Sequence, residues 1–217
     1  MPRILEPEVM DDAAEAIAYD AMDFLAVNTA FAELAWELLP TEVAQVLDLG
    51  TGTARIPILM AQQRPQWHIT AIDLAVSMLA IAQQNIDQAG LGHWISLAFM
   101  DSKAVQFPDQ SFDLVLSNSL IHHLPDPLPC LREIKRVLKP GGKILLRDLF
   151  RPRSKDKIEQ MVAAIDPNFD AHQTQLFADS LHAAFTLEEV ESLAQQANFD
   201  NYRVYQSSDR HWTLIST

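Results

Sequence analysis

Residues 46–55, VLDLGTGTAR, restrict the fold more than any other stretch of the chain. Val46, Leu47 and Leu49 make a near-continuous apolar run, the pattern of a parallel strand buried on both faces. Asp48 interrupts the run close to its end, Gly50 and Gly52 follow, and helical patterning begins directly after them. A strand, a glycine turn and a helix N-terminus make a place where backbone N–H groups and a close-lying backbone hold a nucleotide-like ligand. The spacing separates two kinds of ligand. The dinucleotide pattern G-x-G-x-x-G requires Gly or Ala at position 55, and Arg55 stands there. Read as G-x-G-x-[G/A], the run is Gly50, Gly52 and Ala54, with Thr51 between the glycines and the acid Asp48 before them.

Two further acids fall at equivalent places. Trp67 to Ile72 reads as a second strand, and Asp73 ends it, 21 residues after Gly52. An acid so placed is set to accept hydrogen bonds from ribose hydroxyls; the alternative is an ordinary helix N-cap, which Asp also favours. Ser77 and Met78 sit in the first turn of the helix that follows. Trp94 to Met100 reads as a third strand, closed by Asp101-Ser102. A fourth strand pattern, Phe112 to Ser117, runs into Asn118, and LREIKRVLKPGGKILLRD reads as a helix, a Pro-Gly-Gly turn and a fifth strand.

On these residues the chain resembles the class I S-adenosylmethionine (SAM)-dependent methyltransferases, strongly over residues 43–149 and weakly to the C-terminus. Within them it is most similar to the small-molecule group that includes ubiquinone and menaquinone C-methyltransferases. The resemblance implies S-adenosyl-L-methionine as cofactor, held by Asp48, Gly50, Thr51, Gly52, Asp73, Leu74, Met78, Asp101, Ser102 and Asn118, with Asp101 accepting from the adenine amine and Leu74 forming an apolar wall. It implies a doubly wound, Rossmann-like α/β fold: a seven-stranded, mostly parallel sheet with the last strand antiparallel, plus N-terminal helices and a small lid. Two other functions stay open. One is a non-catalytic SAM-binding regulatory protein, whose cofactor site would look identical. The other is a nicotinamide-dependent oxidoreductase, which Arg55 and Asp101 disfavour.

Composition narrows the partners. The formal net charge of −13 disfavours nucleic acid, whose phosphates demand clustered Lys and Arg. The basic residues fall mostly in short runs that read as solvated faces and a helix C-terminus. One cysteine, Cys130, excludes an internal disulfide and reads as a small core residue. No apolar run reaches the ~18 residues of a membrane span, and no signal peptide is read at the start, so a cytoplasmic location is expected. The acceptor is expected to be a small molecule; the oligomeric state is not legible.

The whole chain reads as one methyltransferase domain in four stretches. Residues 1–41 are helical in pattern, with Asp11-Asp12 as a cap and apolar residues recurring from Ala13 to Leu39. Tyr19 lies where the resemblance places a helix across the cofactor; ordinary packing is the alternative. Residues 42–149 form the SAM-binding core. Residues 150–185 interrupt the alternation and read as a lid, with Asp166-Pro167-Asn168 as a turn and Phe169, Leu176 and Phe177 as its apolar content. Residues 186–217 read as a helix opened by a Thr186–Glu189 capping box, then a hairpin turning at 207–210.

SAM is a methyl donor activated by its own sulfonium, so a protein need only align donor and acceptor and exclude water. A base is required only where the acceptor loses a proton. His122 and His123, after the fourth strand, are the candidates, with at most one expected to face the cavity; the alternative is that one packs and the other is solvated. His172, His182 and His211 are further options. The histidines lack the spacing of zinc sites, so no metal is expected from local sequence, although a site assembled from distant segments stays open. Arg210-His211-Trp212 reads either as acceptor lining or as part of an edge strand.

Overall fold

The computed structural model describes residues 1–6, 9, 11–164 and 170–217. Strand β1 (Ala44–Leu49) runs through the middle of a sheet, parallel to β2 (Trp67–Asp73) on one side and β4 (Phe112–Asn118) on the other. Beyond them lie β3 (Ile95–Phe99) and β5 (Leu138–Leu149), also parallel. The hairpin of β6 (Tyr202–Gln206) and β7 (His211–Ser216) completes the order β3-β2-β1-β4-β5-β7-β6, with β7 antiparallel to both its neighbours. The chain runs outward from β1 through β2 to β3 and returns beside β1 at β4. That reversal opens a crevice at the carboxyl ends of β1 and β4, where α/β sheets bind ligands.

Alternation along the strands explains why both sheet faces are covered. Val46, Ile69, Leu114 and Leu116 pack against α2 (Leu25–Leu38), α3 (Arg55–Gln63) and α4 (Val76–Ala89). Leu47, Leu49, Val115 and Leu146 point the other way, against α5 (Leu128–Val137) and α8 (Leu187–Gln196). In α5 the buried positions are Cys130, Leu131, Ile134 and Val137, one stripe at helical spacing with Cys130 fully enclosed. The Thr186–Glu189 capping box opens α8 as its sequence predicts.

Several expectations need correction. Residues 1–6 are not helical; they run as a strap in which Arg3 donates to the carbonyls of His122, Leu124, Pro125 and Ala183 and stacks on Phe185. The following helical stretch is broken into α1 (Ala13–Asp20) and α2, because the Asp23 carboxylate takes the Leu25 N–H and restarts the helix there. Strand β5 begins at Leu138, so the Pro-Gly-Gly stretch read as a turn before it lies within it. Its pairing jumps from Phe112–Leu138 to Leu114–Lys143, so Lys139 to Gly142 bulge out with Gly141 at φ +77°. The Asp126-Pro127 pair reads as a helix start with Asp126 as cap; α5 instead starts at Leu128 with Pro127 as its cap residue, and the Asp126 carboxylate takes the Leu128 N–H from one residue further out. β7 is an interior strand, so the edge-strand reading of Arg210-His211-Trp212 does not hold. The lid contains α6 (Lys155–Ala163) and α7 (Ala171–Ala183); Phe169 and the 166–168 turn lie outside the described residues.

Candidate active site

The glycine turn is held from two sides. The N–H groups of Gly50 and Thr51 both donate to the Ile72 carbonyl, and the Gly52 N–H donates to Asp73 Oδ2 at 2.8 Å. Gly50 has φ +69°, and a Cβ there would sit 3.0 Å or less from Leu120 Cβ and Cδ1, so the position excludes any side chain. Ala54 is also left-handed, at φ 61°, and fully buried, which explains how a small residue closes the motif before α3. Arg55 is drawn away from the turn by a bidentate bond to Asp20, at 2.8 and 2.6 Å, which ties α1 to the start of α3.

The turn forms the floor of a cavity of about 1390 Å³ at the carboxyl ends of the central strands. That is larger than a single drug-sized ligand requires. Asp48, Gly50, Thr51, Gly52, Asp73, Leu74, Met78, Ser102, Asn118 and Tyr19 all line it, as do His122 and His123. The Tyr19 ring lies over the turn, 3.8 Å from where a Gly52 Cβ would be, and packs on Phe24. Asp101 is not brought in: the lining residues are its neighbours Met100 and Ser102. Its own Oδ1 accepts the Lys103 N–H at 2.8 Å and lies 3.4 Å from the Lys103 ammonium.

The cofactor-side acids differ in electrostatics. Asp48 is 3% exposed, and burial pushes its carboxyl up to about 7; the Thr51 hydroxyl opposes this and the Asp73 charge adds to it. Asp73 is also raised, first by burial, while the N–H groups of Ala75, Gly52 and Leu74 oppose the shift. It faces the cavity while bracing the backbone: Oδ1 takes the Ala75 N–H at 2.9 Å and Oδ2 that of Gly52, but the N-cap of α4 is Ala75, so Asp73 is not the helix cap.

The other end of the cavity is built around a buried pair that local sequence did not single out. His122 Nδ1 lies 2.5 Å from Asp148 Oδ1, and the His122 N–H donates to Asp148 Oδ2 at 3.0 Å. Both side chains are almost wholly enclosed. Burial opposes the charge on each. The mutual attraction and hydrogen bond outweigh burial, so His122 is raised and Asp148 lowered from their ordinary values. Asp148 was legible in principle, since an acid inside the apolar run KILLRDL breaks the pattern as Asp48 breaks VLDL.

Contrary to the expectation that only one faces inward, both histidines line the cavity. They lie in the 3-10 turn Ile121–His123, with ring centroids 4.1 Å apart, and both converge on the Glu6 carboxylate from the strap. Arg147 is an unforeseen lining residue, donating to Asn118 Oδ1 and the Val27 carbonyl, with burial lowering it to about 10. Of the further histidines, His172 and His211 line the cavity and His182 does not. Trp212 is buried in the core, while Arg210 and His211 face the cavity. From the lid, Leu176 and Phe177 form part of the wall.

A doubly wound sheet whose first strand ends in a glycine turn, with an acid closing the second strand, defines a nucleotide-binding α/β protein of the methyltransferase type. Residues 47–146 match the methyltransferase domain family. The chain is 37% identical over 108 residues to a demethylmenaquinone methyltransferase of Listeria welshimeri, covering 49% of this chain and 45% of that protein. It is 32% identical over 161 residues to a malonyl-[acyl-carrier protein] O-methyltransferase of a Marinomonas species, covering 73% and 57%. The chain thus spans about half the length of these curated relatives. A solved structure described as a putative S-adenosyl-L-methionine-dependent methyltransferase from Methanococcus maripaludis superposes with a TM-score of 0.74 at 22% identity, over 98% of this chain and 96% of that one. The matched stretch is thus a methyltransferase domain of the class I SAM-dependent type, whose cofactor is S-adenosyl-L-methionine. Among the described residues no helix is long and apolar enough to cross a membrane.

Proposed function

We propose that this chain binds SAM over the Gly50–Gly52 turn and transfers its methyl group to a small-molecule acceptor held between Tyr19, the 118–124 loop and α7. The carrying observation is one cavity, large enough for two ligands, that joins a glycine-turn cofactor floor to a buried His–Asp pair. In this reading Asp73 accepts from the ribose hydroxyls, Leu74 and Met78 flank the adenine, and Tyr19 closes over the methionine end. Alignment and water exclusion supply most of the rate. His122 takes the acceptor's proton at Nε2, because Asp148 fixes Nδ1 as the protonated nitrogen and stabilises the cation that forms. A histidine that lines the cavity while bonded to a buried carboxylate favours an enzyme over a non-catalytic SAM-binding protein.

Wall chemistry supports a small, partly apolar acceptor. Phe24, Leu34, Leu176 and Phe177 give the wall apolar patches among polar groups such as Arg147, His172 and Arg210, and α7 contributes to that wall. The test is S-adenosylhomocysteine titration by calorimetry, followed by a methyl-transfer screen over quinones, phenols, amines and carboxylic acids. Binding of S-adenosylhomocysteine with turnover on a member of the panel is the expected result. His122→Ala and Asp148→Asn should each lose about 10²–10⁴-fold in turnover while keeping S-adenosylhomocysteine affinity, since the defect lies in proton transfer. Failure to bind at millimolar S-adenosylhomocysteine would overturn the cofactor assignment. Methylation confined to RNA or folded proteins would overturn the acceptor assignment.

A further inference from the structure

We infer that Glu6, His122 and His123 form a binding site for a zinc-class divalent cation, and that the ion switches the enzyme off by occupying the nitrogen that serves as base. The inhibitory half rests on the proposed role of His122; the binding half stands on geometry alone.

Three ligand atoms converge. Glu6 Oε1 lies 3.3 Å from His122 Nε2 and 3.2 Å from His123 Nδ1, and all three atoms fall within 4.8 Å of one another. A tetrahedral ion with bonds of about 2.0–2.2 Å sets its ligand atoms roughly 3.3–3.5 Å apart. The two carboxylate–imidazole separations match that edge. Glu6 Oε1 makes no well-aligned hydrogen bond among the described residues, although the side chain is only 7% exposed. A buried carboxylate oxygen is costly unless a cation meets it, and here that cation is either a protonated imidazole or a metal ion held by both rings. Its companion Oε2 is already satisfied by the Ser180 hydroxyl at 3.1 Å, so Oε1 is the atom presented to the two rings.

The surroundings resemble an orienting outer shell. His122 Nδ1 bonds to Asp148, which directs the Nε2 lone pair toward Glu6; a carboxylate behind a ligating imidazole fixes its tautomer and raises its donor strength. Glu6 is delivered by the strap, and Arg3 pins that strap to four carbonyls, two of them from His122 and Leu124 on the loop beside the histidines. Three protein ligands leave a fourth position, and both histidines line the cavity. With an ion on Nε2, that nitrogen has no lone pair left to take the acceptor's proton.

Full-length chain, freed of metal with a chelator, is titrated with Co²⁺ and then Zn²⁺. The expected result is one tight site with the visible absorption of tetrahedral Co²⁺, discharged by Zn²⁺. Glu6→Ala and His123→Ala should abolish that spectrum, and Asp148→Asn should weaken affinity about 10–100-fold. Retained S-adenosylhomocysteine binding in each variant shows that the fold is intact. Turnover should fall with Zn²⁺ at the same half-saturation as binding and recover with chelator. No tetrahedral Co²⁺ spectrum at millimolar metal, or one unchanged in both ligand variants, would overturn the site and show that Glu6 only neutralises the histidines. Binding that leaves turnover unaffected would overturn the inhibitory role. Neither result bears on SAM binding, which the titration with S-adenosylhomocysteine reads separately.

Discussion

Asp48 should make the chain lose stability as pH rises through the neutral range, the reverse of the usual carboxylate. Its carboxyl sits at the end of the central strand, 3% exposed, and burial lifts it from 3.8 to about 7. A carboxyl whose pKa rises on folding leaves the folded state at full stability below the unfolded value. That stability is then lost as pH climbs toward the folded value. The loss grows from about pH 4, levels off above pH 7, and totals about 4 kcal/mol. Between pH 5 and pH 8 this one group accounts for about 2–3 kcal/mol. Asp48→Asn removes the titration and keeps the shape, so other groups cancel in the difference between the two proteins. Urea unfolding of both, without ligand, at pH 5, 6, 7 and 8 gives the measurement. Asp48→Asn should gain on wild type by that 2–3 kcal/mol across the series. A difference that stays constant with pH would refute the argument that burial dominates at Asp48. The same logic applies to ligands: SAM carries an ammonium and a sulfonium, which favour the ionised form, so its affinity should rise with pH up to about 7 and then level off.

Gly50→Ala should destabilise the chain by about 2–4 kcal/mol in urea unfolding, from a left-handed backbone and a methyl forced against Leu120 Cβ; a change under about 0.5 kcal/mol would show that the loop after β4 yields freely. Asp73→Ala removes the acceptor for both the Gly52 and Ala75 N–H groups, so it should lower the melting temperature as well as weaken S-adenosylhomocysteine; loss of binding at an unchanged melting temperature would mean that those two bonds carry no stability. His211, lowered to about 4 first by burial and then by the Arg147 charge, should stay neutral from pH 8 down to about pH 5 in a ring-proton NMR titration, whereas an ordinary midpoint near 6.5 would place it in water. Because its folded pKa is depressed, the stability it supports is present above pH 6.5 and fades as pH falls toward 4.

The cofactor floor was legible because its requirements are local. A buried strand, two positive-φ glycines and an acid at the next strand's end are neighbours in sequence or one βαβ unit apart, and each leaves a compositional mark. The mainly parallel sheet followed from strand–helix alternation, and its antiparallel last strand from the resemblance. The opposite end of the cavity was not legible, since its parts meet only through tertiary packing. Glu6 reaches His122 because Arg3 finds four carbonyls in two distant segments, and nothing in MPRILE announces that. The histidine pair was read with alternating directions, whereas a 3-10 turn lets both rings converge on one carboxylate. Asp101 illustrates the opposite limit: its place after β3 fits the pattern, yet Met100 and Ser102 line the cavity while Asp101 Oδ1 bonds to Lys103.

This division of the cavity has a counterpart along the chain. The stretch matched by the methyltransferase domain, residues 47–146, contains the glycine turn, Asp73, Leu74, Met78, Asn118 and both inward histidines. Tyr19, Phe24, Phe177, His211 and the strap that carries Glu6 all lie outside it. In the proposed reading the matched stretch supplies the cofactor floor and the candidate base, and the segments before and after it supply Tyr19 and the remaining walls around the acceptor. Relatives named for demethylmenaquinone and for a malonyl-[acyl-carrier protein] would then share the matched stretch and differ in those walls. Selectivity should accordingly follow α1, α7 and the β6–β7 turn, which reach the cavity from three directions and are joined to the sheet by few of its ladder bonds.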